Sequence, residues 1–249
     1  MTKLLVDTRI GYSNVVCGSS MRSGGASRAQ YCGLNLGSHV GDRISNVTFN
    51  RALFFKCLEQ RFGKLQPPIY LNQRHSNHIK RYEDILSNTE VLDAIWTDNS
   101  FTPLVIMTAD CLPILLTDGE RICAVHAGWR GLTGDLLEKS VSVFSNPDRV
   151  NASIGPYIHQ PNYEVGFEVT EHFSAIPDAI KFTDMDQKAL LDLGVIAKTK
   201  LAECGVTKVI DMGICTYSDH RFYSHRRASH QGLTDTGRMV SFIIKLENK

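Results

Sequence analysis

Apolar positions along this chain form short unbroken runs in some places and stripes at helical spacing in others. Two runs lie together within residues 108–131, TADCLPILLTDGERICAVHAGWRG. Joined at Asp118-Gly119, they read as a β-hairpin, because Asp-Gly supplies the positive φ of a tight turn. The ends of a hairpin return to one another, so Cys111 and His126 are expected to face each other. A thiolate and an imidazole at one sheet end make either half of a metal site or a Cys/His catalytic pair.

Upstream, residues 4–18 are strand-like and 19–37, rich in Ser, Gly and Asn, read as a loop. The small residues at 24–27 and along 35–42 let backbone approach a ligand closely. Val47, Leu53, Phe54, Cys57 and Leu58 ahead of Gly63 predict a helix over 45–62 that carries Arg51. Extended runs follow at 69–75, which ends in Gln73, Arg74 and His75, and at 91–96 and 103–108. A parallel or mixed sheet built from them brings His75 toward Cys111 and His126, with Asp93 and Thr97 near the same edge.

Leu132, Leu136, Leu137, Val141 and Phe144 predict a second helix starting close to Gly131. Its free N–H groups and positive dipole, with Arg130 alongside, suit a phosphate or carboxylate. Strands are predicted at 150–155, 208–215 and 238–246, a further element begins at 163–166, and a long amphipathic helix covers 186–204. The segment 221–227, RFYSHRR, mixes aromatic and basic side chains, a stacking surface for a ring with charge for a phosphate.

Of 249 residues, 43% are hydrophobic and 21% charged, an ordinary globular balance, and no linker, repeat or charge run divides the chain. One domain over 1–249 is expected. A net charge of +1, with no basic cluster denser than Arg226-Arg227, lacks the footprint of a nucleic-acid binder and favours small-molecule chemistry. No segment nears the roughly 20 apolar residues that span a bilayer, so a cytoplasmic protein with no membrane partner is expected. Seven cysteines without a C-x-x-C pair argue against a disulfide framework and a zinc ribbon.

His75, Cys111 and His126 would make a three-ligand zinc set with a fourth position for water, and Asp110 is placed to accept a hydrogen bond behind a ligand. The same donors suit copper, but no Cys is closely followed by both a His and a Met and no H-x-H pair occurs, so copper ranks below zinc. The H-x-E and P-C-x-x-C signatures of cytidine-type zinc deaminases are absent. Without metal, Cys111 becomes a nucleophile, His126 its base, and Asp110 or Asn35 the group that orients it.

Seven segments together resemble the YfiH family, whose members are also called laccase-domain proteins, polyphenol oxidase-like proteins and peptidoglycan editing factor. They are N-L-G-x-H-V-G-D (35–42), N-R (50–51), T-A-D-C-L-P-I-L-L (108–116), A-V-H-A-G-W-R-G (124–131), I-G-P (154–156), Y-E-V-G (163–166), and F-Y-S-H-R-R with G-R (222–238). The resemblance implies a single mixed α/β domain with outer helices and a zinc held by His75, Cys111 and His126. It also implies phosphorolysis of adenosine, inosine, guanosine and methylthioadenosine, and hydrolytic deamination of adenosine, with purine nucleosides and inorganic phosphate as partners.

On that implication, Asp110 relays a proton, Asn35 is a second catalytic candidate, and Arg51, Arg130 and Arg226 hold phosphate. The chain departs from the family where Q-V-H-G becomes Gln73-Arg74-His75-Ser76 and where Cys after I-G-P becomes Tyr157. The first departure bears on pocket shape and substrate preference. The rivals are a metal-free Cys/His hydrolase of a cell-wall precursor amide, a copper polyphenol oxidase and a zinc-stabilised binding module.

Overall fold

A computed structural model describes residues 5–8, 10–184 and 187–247. The hairpin is its centre. Strands β6 (Leu112–Thr117) and β7 (Ile122–Ala127) pair antiparallel with Pro113 opposite His126, and Gly119 in the turn has a φ of +86°. Every residue of both strands is buried, because the sheet they belong to is covered on both faces. That six-stranded sheet runs β12 (Lys208–Asp211), β8 (Asn151–Ile154), β6, β7, β4 (Ala94–Thr97), β3 (Ile79–Arg81). The β12/β8 and β3/β4 pairs are parallel and the rest antiparallel.

Strand alternation splits the hairpin's side chains between two cores. Ile114, Leu116, Cys123 and Val125 pack with Leu137 and Val141 of α3 (Leu136–Ser142) and with Ile196 and Leu201 of α5 (Leu193–Glu203). Leu115, Ile122 and Ala124 face a four-stranded sheet ordered β1 (Leu5–Thr8), β2 (Val15–Ser20), β13 (Met239–Lys245), β5 (Leu104–Thr108). The far side of that second sheet receives Phe54 and Leu58 of α1 (Ile44–Phe62) against Phe242 and Val105. The layers are therefore helix, sheet, sheet, helix, a mixed α/β fold as the sequence led us to expect.

A small sheet of β10 (Ile180–Phe182), β11 (Lys188–Leu191) and β9 (Glu164–Gly166), with α4 (Phe167–Thr170), completes one side. It corrects the helix predicted over 186–204. Residues 188–191 are β11, Asp192 caps the following helix by accepting from the Val195 N–H at 3.0 Å, and only then does α5 begin. Asp186, the expected helix start, lies outside the described residues. The helix predicted from Gly131 is also different: α2 (Trp129–Thr133) starts after Gly128, ends before Gly134, and α3 follows separately. Gly131 is thus inside a five-residue helix rather than at a long helix's N-terminus. The run 69–75 forms no strand; the β-pairing it makes among the described residues is an isolated Asn72/Val91 bridge.

Candidate functional site

His126 is the penultimate residue of β7, and Cys111 immediately precedes β6, so the hairpin alone brings them to one place. His75 arrives from outside the hairpin on the irregular segment before β3, in a left-handed conformation with a φ of +58°. Asp93, fully buried just before β4, holds it there. The carboxylate accepts from the backbone N–H groups of Arg74 (3.1 Å), His75 (3.1 Å) and Ser76 (2.6 Å), and from the Ser76 hydroxyl (2.6 Å).

The same carboxylate accepts from His126 Nδ1 at 2.7 Å. One buried charge therefore shapes the His75 loop and fixes the His126 tautomer, leaving its Nε2 free as a donor atom. Cys111 Sγ stands 3.5 Å from His75 Nε2, and the donor atoms of the three residues lie within 4.8 Å of one another. They are the one such three-residue group among the described residues. A Cβ at Gly128 would fall 2.6 Å from His75 Cδ2 and 3.3 Å from Cys111 Sγ, so only glycine leaves this cradle open.

Charge follows geometry. Burial works against the Cys111 thiolate, but the His126 and His75 imidazoles outweigh it and bring the pKa down to about 6. Burial likewise opposes a charged His126, yet Cys111 and Asp93 raise it to about 9. Two imidazoles and a thiolate converging with a side open to a cavity fit a metal ion with an exchangeable position, and Asp93 is the partner that orients the ligand His126.

Asp110 does not take that supporting role. Its oxygens accept from Thr216 Oγ1 (2.7 Å) and the Arg226 backbone N–H (2.6 Å), tying the start of α6 (His225–His230) to the cavity wall. The cavity, about 720 Å³, has the three ligands as its floor and Trp129, Arg130, Tyr163 and Arg226 among its walls. Arg130 is exposed and lies 4.3 Å over the Trp129 ring, while Arg226 sits 5.4 Å over Tyr163 and donates to the Glu164 carbonyl at 2.8 Å. Arg227, beside it, is buried and spent on the carbonyls of Thr216, Tyr217 and Phe222.

Two residues singled out in the sequence are not on this wall. Asn35 is buried, its amide donating to Gly37 and Asp42 and accepting from Gly37 and Arg238 N–H groups, which knits the 35–42 loop to the chain end. Arg51 lines an adjoining cleft instead. Tyr157 is buried against Asp211 at 3.3 Å and is no part of the cavity wall. Sequence reasoning missed Asp93 as the support and Gly128 as the space. The signal for Asp93 was a carboxylate inside the apolar run VLDAIW, since a buried charge is kept only where several donors meet it.

Fold and site together define a mixed α/β protein that carries one His₂Cys metal-binding group at the mouth of its central hairpin. Comparison with known proteins agrees over almost the whole length. Residues 16–245 match the family described as "Multi-copper polyphenol oxidoreductase laccase". The chain is 36% identical to the Escherichia coli K12 "Purine nucleoside phosphorylase YfiH" over 98% of this chain and 99% of that one. It is 37% identical to a Haemophilus influenzae "Purine nucleoside phosphorylase" over 92% and 94% of the two chains. The crystal structure of a Neisseria meningitidis protein superposes with a TM-score of 0.89 at 33% identity, covering 98% of this chain and 100% of that one. The chain belongs to the YfiH, or laccase-domain, family.

Proposed function

We propose that this protein is a zinc-dependent purine nucleoside phosphorylase that also deaminates adenosine, working as one catalytic domain in the cytoplasm. The observation that carries the reading is the three-donor floor beneath a cavity walled by both aromatic rings and arginines, together with the activity named for its relatives. No helix among the described residues is long and apolar enough to cross a membrane. Zinc suits two imidazoles, one thiolate and an open fourth position. Copper is less suited: no second metal group stands among the described residues, and the sulfur of Met107, a thioether on the wall, is turned to Arg51 at 4.0 Å.

Bound zinc would supply a Lewis acid that lowers the pKa of coordinated water from 15.7 toward about 7. The chain supplies the rest. Trp129 and Tyr163 present ring surface to the purine, and Arg130 and Arg226 present charge to phosphate. In phosphorolysis a phosphate oxygen bonds to C1′ as the C1′–N9 bond breaks, its electron pair leaving with the purine. In deamination water adds at C6 of adenine and ammonia leaves. Asp110, the one carboxylate among the described residues on the wall, is our candidate for relaying the proton and for positioning Arg226. Adenosine, inosine, guanosine and methylthioadenosine are the substrates we assign.

Phosphate dependence tests the assignment. Inosine, which has no exocyclic amine, should yield hypoxanthine and ribose 1-phosphate only with phosphate present, whereas adenosine should yield inosine without it. Equal hypoxanthine release in the absence of phosphate would overturn phosphorolysis. A second reading has its own support: the lowered Cys111 thiol, His126 and Asp93 also form a nucleophile, base and orienter, as in a metal-free hydrolase of a cell-wall amide.

A further inference from the structure

Beside the ligand cavity lies a second cleft of about 660 Å³ that shares His39, Gln73, Arg74 and Met107 with it as walls. A nucleoside with orthophosphate accounts for the first space and leaves the second unexplained. No carboxylate lines the second cleft among the described residues, and Asp110, already accepting two hydrogen bonds, is the only one lining the first. Five arginines stand against it: Arg51 and Arg74 in the second cleft, and Arg130, Arg226 and Arg238 on the first along with Arg74's shared edge. Of these, only Arg238 forms an ion pair among the described residues, with Asp235 at 3.1 Å.

Arg51 is held in place rather than loose. Its Nε donates to the Leu36 carbonyl at 2.9 Å, one terminal nitrogen reaches Ser38 Oγ at 3.2 Å, and the guanidinium lies 3.7 Å over the Tyr70 ring. Its other terminal nitrogen, Nη1, has no partner among the described residues. Arg74 uses only Nε, on Asn72 Oδ1 at 3.0 Å, so neither terminal nitrogen has a partner among the described residues. The Tyr70 hydroxyl is buried with no hydrogen-bond partner among the described residues. Between the arginines, burial and the charges of Arg238, Arg74 and Arg51 keep His39 neutral at pH 7, its pKa brought down to about 4 despite Asp235. Two guanidiniums with unused donors, in a cleft that no carboxylate lines among the described residues, supply the charge and N–H groups a phosphate dianion takes.

We propose that the second cleft is a phosphate-ester subsite and that the substrate class extends to purine nucleoside 5′-monophosphates. The proposal rests on the purine nucleoside reading above. In ribose, C5′ is carried on C4′, across the ring oxygen from C1′, so a nucleoside reacting at C1′ over the ligands directs its 5′ substituent into a neighbouring space. Arg74, next in sequence to the ligand His75 and on the wall common to both clefts, is placed to receive it.

The test compares adenosine, adenosine 5′-monophosphate and orthophosphate as titrants of the full-length protein by calorimetry, in wild type, Arg74→Val and Arg74→Lys. The ratio of kcat/KM for inosine 5′-monophosphate to that for inosine is measured alongside. The monophosphate should bind about tenfold tighter than the nucleoside, as a charge-assisted contact gives. Arg74→Val should remove that advantage and lower the kcat/KM ratio by a similar factor, and Arg74→Lys should restore part of both. Arg74 is exposed, so equal thermal midpoints are expected and will show that the variants fold.

Equal binding of adenosine and its monophosphate, or a ratio unmoved by Arg74→Val, overturns the proposal. So does a loss confined to orthophosphate, which would make the cleft the co-substrate's own site. A tight, Arg74-dependent monophosphate with no turnover of any nucleoside supports the subsite while rejecting the phosphorylase reading.

Discussion

Replacing Asp93 by Asn keeps the shape of the side chain and removes its charge, and the effect can be worked from five hydrogen bonds. Oδ2 accepts from the Arg74 and Ser76 N–H groups and the Ser76 hydroxyl, while Oδ1 accepts from the His75 N–H and His126 Nδ1. An amide has one acceptor oxygen. If that oxygen stays on His126, the NH₂ group is aimed at two backbone N–H donors and both bonds are lost; turned the other way, it meets the His75 N–H and His126. A hydrogen bond to a charged group contributes about 1.5–3 kcal/mol. Two such losses, partly offset by the Ser76 hydroxyl rotating to accept, should lower unfolding free energy by about 3 kcal/mol at pH 7. Metal affinity should fall about 10–100-fold, because the loop that presents His75 loosens and His126 loses its orienting carboxylate. Urea denaturation of the metal-free protein reads the first effect, and zinc competition against a chelator reads the second. Wild-type zinc affinity in Asp93→Asn would refute the view that this carboxylate assembles the site.

Acid should reveal the same residue. Burial opposes ionisation of Asp93, but His126 and Ser76 outweigh it and hold the pKa at about 2. A carboxyl depressed below its ordinary ~3.9 contributes stability in full above that value and loses it as pH falls toward 2. The gap between wild type and Asp93→Asn, read by denaturation, should therefore narrow by about 2 kcal/mol from pH 5 to pH 2; a constant gap contradicts the assignment. Cys111→Ala, His75→Ala and His126→Ala should each lose metal and nucleoside turnover together, whereas a Cys111→Ala protein that is inactive but fully metallated favours the hydrolase. The Arg130 guanidinium makes no hydrogen bond among the described residues and rests on Trp129, so Arg130→Ala should raise the KM for phosphate about tenfold; an unchanged KM removes it from the phosphate site.

The parts of this protein legible in its sequence are those set by local geometry. Asp118-Gly119 closes a hairpin, a hairpin returns its ends, and Cys111 and His126 meet without help from any distant segment. Helix α1 was legible for the same reason, since Val47, Phe54 and Leu58 lie on one face and Gly63, with a φ of +89°, stops it. Where a short apolar run has no period of its own, tertiary contacts decided. Residues 188–191 could extend a helix, but pairing with β9 and β10 makes them a strand. The arginines show the limit for the site: Arg130, Arg226 and Arg51 looked alike in sequence, yet packing set two on the ligand cavity, Arg51 in the next cleft, and buried Arg227 among carbonyls. The third member of the His₂Cys group depended on tertiary structure most of all. His75 reaches the hairpin because a carboxylate 18 residues later in the chain, fully buried, gathers the backbone donors around His75 and the Nδ1 of His126, a convergence no local pattern encodes.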